Sequence, residues 1–327
     1  MSFKRSHTFA FTLVSGCCLL VYVVFYLELM GNHRELNDIE GLSLRSRLTV
    51  PRPAAGVSAS LAGHAVIPSS NNSWSANSAC TQADIERRSA TVVLTTTNAG
   101  YLDVTENMLE SIKRTRACPN ITVIAEDEPS YQRLTQRIQS QPGLHVQRSP
   151  LVATVWKSTK LHSRDFNRLV RRRPQYILNL LKKGYDVLFL DSDNVWFKDP
   201  FKDFQESFDI AMHNQQVNIA EFCVGFAYYR PTENTLRLVT EWLRLLDKKK
   251  HPKTGEQTTM NKLISRKLIP KLKIKTLNET NYPDGKKYFR QAGWREAHSD
   301  TTVLHLSFIF GHDAKVAKLK EFGFWFI

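Results

Sequence analysis

The stretch that decides the fold is residues 184–201, which read GYDVLFLDSDNVWFKDPF. Residues 187–190 within it form an apolar run of strand-forming residues, too short for a helix of its own. A run that is apolar on both faces is typical of a central strand in an α/β sheet, because such a strand is covered on both sides. The sequence therefore predicts a buried strand here and an α/β fold around it.

The predicted strand ends at Asp191-Ser192-Asp193, two carboxylates separated by one residue. In an extended chain, residues two apart point the same way, so these carboxylates can converge on one point. They repel each other unless a cation lies between them, and oxygen ligands suit Mg²⁺ or Mn²⁺. Since open α/β sheets bind ligands at the C-terminal ends of their strands, the pattern predicts a metal–phosphate site. The competing interpretation is a plain strand-to-turn junction.

The charge balance restricts the class of partner. The chain has 327 residues, enough for one large α/β domain or two small ones, and carries 45 Lys+Arg against 31 Asp+Glu, a formal net charge of +14. Such an excess suits nucleic acid, an anionic membrane or phosphorylated substrates. The basic residues fall into separate clusters at 171–173, 248–250 and 267–275, in mostly polar surroundings. We interpret them as solvated faces and expect no nucleic-acid partner.

The N-terminus predicts a membrane anchor. Residues 8–27 carry no charge and have the length that spans a bilayer as a helix. Lys4 and Arg5 precede them, so the positive-inside rule places the short N-terminus in the cytoplasm. A cleaved signal peptide would have a shorter apolar core and a small-residue exit. We expect a type II protein with a cytoplasmic tail (1–7), a transmembrane signal anchor (8–30), a flexible lumenal stem (31–88) and a folded domain (89–327).

Three Asn-x-Ser/Thr sequons lie on the predicted lumenal side, at Asn71, Asn120 and Asn278, and we expect glycans there.

Three cysteines lie beyond the predicted span, in what should be an oxidising compartment. An odd number leaves one thiol free or paired between chains. Cys223 lies in an apolar, strand-like run and is interpreted as a small buried hydrophobe. We predict a disulfide between Cys80 and Cys118, which would tie the stem to the first folded unit.

Strand and helix patterns alternate along the folded part. Strands are predicted at 91–97 and 121–125 with a helix between them, an order that implies a right-handed parallel unit. A helix between Pro174 and Gly184 leads into the organising strand. Further strands are predicted at 208–212, 222–229 and 302–310.

Four segments together resemble a known family. In chain order they are GYDVLFLDSDNVWFKDP, FCVGFAYYRPTENT, GEQTTMNKLI and HLSFIFGHDAK. They resemble the motifs of the nucleotide-diphospho-sugar transferases, and most closely glycosyltransferase family 77, the α-xylosyl- and α-galactosyltransferase type. The resemblance covers roughly residue 91 to the C-terminus. It implies a GT-A-type nucleotide-binding sheet with flanking helices, a UDP-sugar donor and a glycan or glycoprotein acceptor. It also implies Mn²⁺, with Mg²⁺ as the alternative, retention of configuration and a Golgi membrane location.

The same resemblance assigns roles to residues. Asp191, Asp193 and His305 would hold the metal, and Gln257 would act with the two aspartates in catalysis. The residues assigned to the donor nucleotide are Thr96, Asn98, Tyr101, Asp191, Ser192, Gly311 and Lys315. We favour attack of the acceptor hydroxyl from the leaving-group face, because no carboxylate pair is placed for double displacement and Gln257 is a poor nucleophile.

For several of these residues, a purely structural role is an open alternative. His305 lies in an apolar run and also fits a core histidine, Lys315 fits the start of an amphipathic helix, and Gln257 and Asn261 fit helix-surface amides. The chain also departs from the family pattern at 223–224, Glu256 and Ser307, which leaves the donor sugar and acceptor open.

Two rival functions remain. The run FLDSDNV also fits the nucleophile motif of haloacid-dehalogenase phosphatases, in which Asp191 would attack phosphate. In those phosphatases the strand that carries the nucleophile is normally the first strand of the domain, whereas here a long segment precedes it. A catalytically inactive sugar-binding relative is the other alternative, which the intact Asp-x-Asp and His305 disfavour.

Overall fold

The computed structural model of the protein describes residues 80–150, 168–215, 221–248 and 255–327. Its strands are β1 (Thr91–Thr97), β2 (Asn120–Ala125), β3 (Leu144–Arg148), β4 (Asp186–Leu190), β5 (Asn194–Trp196), β6 (Ile210–Asn214), β7 (Phe222–Tyr229), β8 (Ile274–Leu277) and β9 (Val303–His305). Its helices are α1 (Gln82–Glu86), α2 (Leu102–Thr115), α3 (Glu128–Arg137), α4 (Arg173–Leu181), α5 (Glu233–Lys248), α6 (Glu256–Ser265), α7 (Gly285–Arg290), α8 (Trp294–Ala297) and α9 (His312–Glu321).

A mixed seven-stranded sheet in the order β3-β2-β1-β4-β7-β6-β8 forms the centre. Strands β3, β2, β1 and β4 are parallel, which confirms the predicted parallel unit. Strand β7 runs antiparallel between β4 and β6. The α/β fold predicted from the sequence is therefore correct, and β4 lies in the middle of the sheet, as its apolar run predicted.

Both faces of β4 are buried. Leu188 and Leu190 pack into one core cluster with residues of α2 and β2, whereas Val187 and Phe189 pack into another with residues of α4 and α5. The alternation along the strand thus connects the two helical layers. Because this strand is held from both sides, the residues that follow it leave the sheet from a fixed position.

The second sheet is small and antiparallel, and pairs β5 with β9. The strand predicted at 302–310 is wrong beyond His305. Phe308 has a left-handed φ of 64°, which a non-glycine residue in a strand does not adopt. Phe310 is 61% exposed. The chain therefore turns after His305 and runs through Gly311 into α9, instead of continuing as a strand.

The Cys80–Cys118 disulfide is present. It ties the segment before β1 to the segment before β2. The described part of the predicted stem includes α1, which Thr81 caps through a reciprocal hydrogen-bond pair with Asp84. None of the helices in the described ranges is long and apolar enough to cross a membrane. The predicted anchor at 8–30 and the sequon at Asn71 lie outside the described residues.

Candidate active site

The Asp-x-Asp turn lies at the C-terminal end of β4 and is fixed by backbone hydrogen bonds. The Asp191 N–H donates to the Gly225 carbonyl at 2.8 Å. The Asn194 side-chain amide donates to the carbonyls of Asp191 (2.7 Å) and Gly225 (3.2 Å). These bonds lock the turn between β4, β7 and β5, so the backbone that carries both carboxylates is held in place.

His305 reaches the turn through the small sheet. It pairs in register with Asn194, and the Leu306 N–H donates to the Asp193 carbonyl at 3.1 Å. The imidazole Nε2 lies 3.3 Å from Asp193 Oδ1 and 3.7 Å from Asp191 Oδ2. The structure thus brings Asp191, Asp193 and His305 together, with one potential ligand atom of each within 4.8 Å of the others.

This donor set fits a divalent cation. It offers carboxylate oxygens and one imidazole nitrogen, ligands that suit Mn²⁺ or Mg²⁺. Asp191 Oδ1 is buried and accepts no well-aligned hydrogen bond within the described structure, although the Arg173 guanidinium lies 2.9 Å from it. A Cβ atom at Gly225 would lie 2.5 Å from Cε1 of His305 and 3.0 Å from Cγ of Asp191, so glycine here leaves the space in which the two side chains meet.

Lys315, from α9, contacts the same cluster. Its Nζ lies 2.7 Å from Asp193 Oδ2 and donates to the Leu306 carbonyl at 2.9 Å. Burial on its own would raise the pKa of Asp193, but Lys315 and His305 hold this pKa well below its usual range. Burial likewise opposes a charged His305, whereas Cys223 and Asp193 raise its pKa well above the usual value. Asp193 is therefore ionised, and a positive charge stands beside it.

Arg173 is a site residue that the sequence analysis missed. The basic run 171–173 was interpreted as a solvated face, but Arg173 is only 14% exposed. Its Nη1 lies 2.9 Å from Asp191 Oδ1 and 3.2 Å from Glu256 Oε1. The interpretation is wrong here because Arg173 begins α4, whose apolar face packs onto the sheet. The adjacent Pro174, a helix-start signal, could have indicated this.

Glu256 balances that charge. It is buried at the start of α6, and burial raises its pKa, against the effect of Arg173. The backbone carbonyl of Glu256 accepts a hydrogen bond from the Trp242 indole at 2.9 Å. Asp191, Arg173 and Glu256 thus form a partly buried chain of alternating charge, which shares Asp191 with the cluster of Asp191, Asp193 and His305.

Gln257 and Asn261 attach α6 to β7. Gln257 Oε1 accepts from the Val224 N–H at 3.3 Å, and its Nε2 donates to Gln215 Oε1 at 3.1 Å. Asn261 accepts from the Phe222 N–H (2.7 Å) and donates to the Phe222 carbonyl (2.8 Å). Neither residue is a helix-surface amide. Gln257 lies next to the site, because its partner Val224 directly precedes Gly225 on β7.

The residues expected to hold the nucleotide lie around the end of β1. Thr96 is half-buried, and the buried Asn98 begins a 3₁₀ turn in which its carbonyl accepts from the Tyr101 N–H at 3.0 Å. Burial, then the charges of Asp193 and Asp191, raise the pKa of Tyr101 to about 12. Tyr101 therefore lies within electrostatic reach of the carboxylates.

The N-terminus of α9 joins the same corner. Gly311, with a φ of 86°, precedes α9, and His312 packs edge-to-face against Tyr101 with ring centroids 5.7 Å apart. His312 Nε2 lies 2.8 Å from Asp103 Oδ1. Helix α9 thus contacts the residues that follow β1 through His312 and the Asp-x-Asp turn through Lys315. Gly311 directly precedes this helix, and Ser192 of the turn is half-buried.

Two sequons can be located. Asn278 is exposed after β8, and its Oδ1 accepts from the Thr280 N–H at 2.9 Å. Asn120 is half-buried at the first position of β2.

Comparison with known proteins gives a family. The nucleotide-diphospho-sugar transferase family matches residues 116–319. UDP-D-xylose:L-fucose alpha-1,3-D-xylosyltransferase 3 of Arabidopsis thaliana is 26% identical over 263 residues, covering 73% of this chain and 67% of that protein. UDP-galactose:fucoside alpha-3-galactosyltransferase of Dictyostelium discoideum is 25% identical over 190 residues, covering 50% and 28%. The glycosyltransferase GlyE of Streptococcus pneumoniae superposes with a TM-score of 0.49 at 14% identity, over 72% of this chain and 60% of that one.

Proposed function

Because the chain belongs to the nucleotide-diphospho-sugar transferase family, we propose that it moves a sugar from a UDP-sugar to a glycan or glycoprotein acceptor. The observation that carries this proposal is the cluster of Asp191, Asp193 and His305 at the end of β4, with Lys315 beside it. Xylose and galactose are the favoured sugars, because the similar enzymes are named for UDP-xylose and UDP-galactose.

Asp191, Asp193 and His305 are the residues proposed to hold the metal. The imidazole nitrogen favours Mn²⁺ over Mg²⁺. When bound, such an ion stabilises the negative charge that grows on the leaving diphosphate. Lys315, already within hydrogen-bond distance of Asp193, would bring a second positive charge to the same oxygens. Thr96, Asn98 and Tyr101, which lie at the neighbouring end of β1, would hold the uridine.

We propose that the reaction retains the anomeric configuration. The bond from the anomeric carbon to the β-phosphate oxygen breaks, and a bond to the acceptor oxygen forms on the same face. The acceptor proton passes to a phosphate oxygen of the departing UDP. Double displacement would need a free nucleophile, but the Gln257 amide binds Val224 and Gln215, and Glu256 pairs with Arg173. We assign Gln257 to the stabilisation of the cationic sugar, through the second lone pair of Oε1, whose first accepts from the Val224 N–H.

The location proposed for the protein is the Golgi membrane, as a single-pass type II protein with its catalytic domain (89–327) in the lumen. Support comes from the charge asymmetry around residues 8–27 and from the Cys80–Cys118 disulfide, since disulfides persist in the secretory pathway and are rare in the cytosol. Digestion with a glycosidase should shift the protein's gel mobility. Asn278→Gln should abolish part of that shift.

The phosphatase alternative has less support. In this fold β4 follows three other strands, and Asp191 faces Arg173 and His305. An inactive sugar-binding relative stays a second candidate, which the same experiment tests.

A donor screen decides between them. The full-length protein in detergent is incubated with Mn²⁺ and each UDP-sugar, and UDP release and transfer to fucosylated glycans are measured. We expect release with one donor, a loss of roughly a hundredfold or more in Asp193→Asn, and wild-type activity in Asp300→Asn, which alters an exposed carboxylate. No turnover of any UDP-sugar would contradict the proposal. Phosphate release from phosphomonoesters with UDP-sugars left intact would establish the phosphatase.

A further inference from the structure

Cys223 contacts the cluster of Asp191, Asp193 and His305 through the imidazole of His305. It lies on β7, is 2% exposed, and is the free cysteine of the described residues. Its Sγ lies 3.4 Å from Nδ1 of His305, on the side of the ring opposite to the two carboxylates. The sequence indicated only a small buried hydrophobe at this position.

Two residues of one strand shape the space for this ring. Cys223 and Gly225 are two positions apart on β7, so they present the same face of the strand. Gly225 leaves room for Cε1 of the imidazole, and Cys223 meets its Nδ1. The face that β7 turns toward His305 thus holds the ring in position and gives one polar contact to its far nitrogen.

The contact between Cys223 and His305 affects which of the two imidazole nitrogens carries the proton. A neutral imidazole carries one N–H and one lone pair, and a ligand to a cation must present the lone pair. If Nε2 faces the cation, the proton is on Nδ1 and requires an acceptor. Metal-bound histidines normally have such a partner on their second nitrogen, and loss of this partner typically costs 10–100-fold in metal affinity.

We infer that Cys223 is a positioning residue whose sulfur accepts the hydrogen bond from His305 Nδ1–H and thereby directs the Nε2 lone pair to the divalent cation. The inference rests on the proposed function, since it assigns Cys223 to the metal site of that reaction. It makes a sulfur atom the partner of the ligand histidine.

The test compares Cys223→Ser with Cys223→Ala, because both shorten the side chain and only serine keeps an acceptor. Val187→Ala is the matched control, since it removes buried volume from β4 of the same sheet away from His305. Binding of Mn²⁺ alone is measured by the loss of the free-ion electron paramagnetic resonance signal. The Mn²⁺ concentration for half-maximal UDP-sugar turnover and the turnover at saturating Mn²⁺ are measured in parallel, with circular dichroism to verify folding.

We expect Cys223→Ala to weaken Mn²⁺ binding about tenfold or more, Cys223→Ser to weaken it less, and Val187→Ala to leave it unchanged. Turnover at saturating Mn²⁺ should stay near the wild-type value in both cysteine variants. Equal Mn²⁺ affinity of the alanine, serine and wild-type proteins overturns the inference. If the alanine variant does not fold, Cys223→Val replaces it, because valine fills the buried volume without an acceptor: a loss of about tenfold in Mn²⁺ affinity relative to Cys223→Ser supports the inference, and equal affinity of the two variants overturns it. A wild type that binds Mn²⁺ but turns over no UDP-sugar overturns the proposed function alone.

Discussion

Gly225 and His305 approach so closely that a Cβ atom at residue 225 would lie 2.5 Å from Cε1 of the imidazole. Gly225→Ala should therefore displace the His305 ring and the Asp191 carboxylate, with a loss of roughly a hundredfold in UDP-sugar turnover, because misplacement by about 1 Å has that effect. Gly255→Ala is the matched control, since nothing lies within 4 Å of its Cβ position. Wild-type turnover in Gly225→Ala would show that the ring has another position available.

Lys315 should contribute to the reaction more than to stability. Lys315→Met keeps most of the side-chain volume and removes the charge beside Asp193. We expect turnover to fall about 10²–10³-fold, since that is the effect of removing one donor aimed at developing charge. Lys318→Met, which alters a half-buried lysine of the same helix that pairs with Glu321, should have no such effect. A variant that loses thermal stability but keeps its turnover would show that Lys315 only holds α9 in place.

Asn261 is expected to be structural. Its side chain makes two hydrogen bonds to the backbone of Phe222, at 2.7 and 2.8 Å. Asn261→Ala leaves the Phe222 groups without that partner, so the free energy of unfolding should fall by about 2 kcal/mol. Urea unfolding followed by circular dichroism measures this change, and Asn179→Ala on the exposed face of α4 is the control. An unchanged midpoint would mean that water replaces both bonds.

His213 should make the protein sensitive to acid. Burial above all, helped by Lys287 and His305 and opposed by Asp284, lowers the pKa of His213 to about 4. Between an unfolded value near 6.5 and this folded value, the unfolded chain takes up a proton that the folded protein does not, so stability is present above pH 6.5 and is lost as the pH falls. The shift corresponds to about 3 kcal/mol.

Urea midpoints at pH 7.5 and 4.5 test this, and His213→Phe should reduce the difference between them. His145→Gln, at an exposed histidine of β3, should not reduce it. An identical pH dependence in wild type and His213→Phe would assign the acid sensitivity to other groups.

The Cys80–Cys118 disulfide should stabilise the folded domain. It links residues 38 positions apart, and a loop of that size corresponds to about 4 kcal/mol in the chain-entropy account. The double variant Cys80→Ser/Cys118→Ser should lose this amount in urea unfolding, while a reducing agent lowers the wild-type midpoint to the same value. A reducing agent that also shifts the double variant would indicate an effect outside this disulfide.

The parts of the fold that were predictable are those with a strong local pattern. Strand β1 and strand β7 have the bounds expected from the sequence, and β4 is buried on both faces because its run is apolar on both. The pairing of β5 with β9 was not predictable, since strands of three residues carry no periodicity. The turn at Phe308 depends on a backbone angle that no side-chain pattern indicates.

The site divides in the same way. Asp191 and Asp193 follow from the strand that precedes them, whereas His305 entered only through the family resemblance, because nothing local connects it to that strand. Arg173 was misassigned because a run of three arginines is usually solvated, and its burial depends on where α4 packs. The contacts of Gln257 and Asn261 with β7 are tertiary and have no signature in α6 itself.

Because β5 pairs with β9, the candidate site is completed only long after β4 has been synthesised. Asp191 and Asp193 are translated well before His305 and Lys315, so a nascent chain that ends anywhere in between has two carboxylates without the imidazole and ammonium groups that later surround them. The candidate site is complete only after the chain has been synthesised through Lys315. A chain that stops between β8 and His305 therefore contains all seven strands of the large sheet but lacks the imidazole and ammonium groups that surround the two carboxylates.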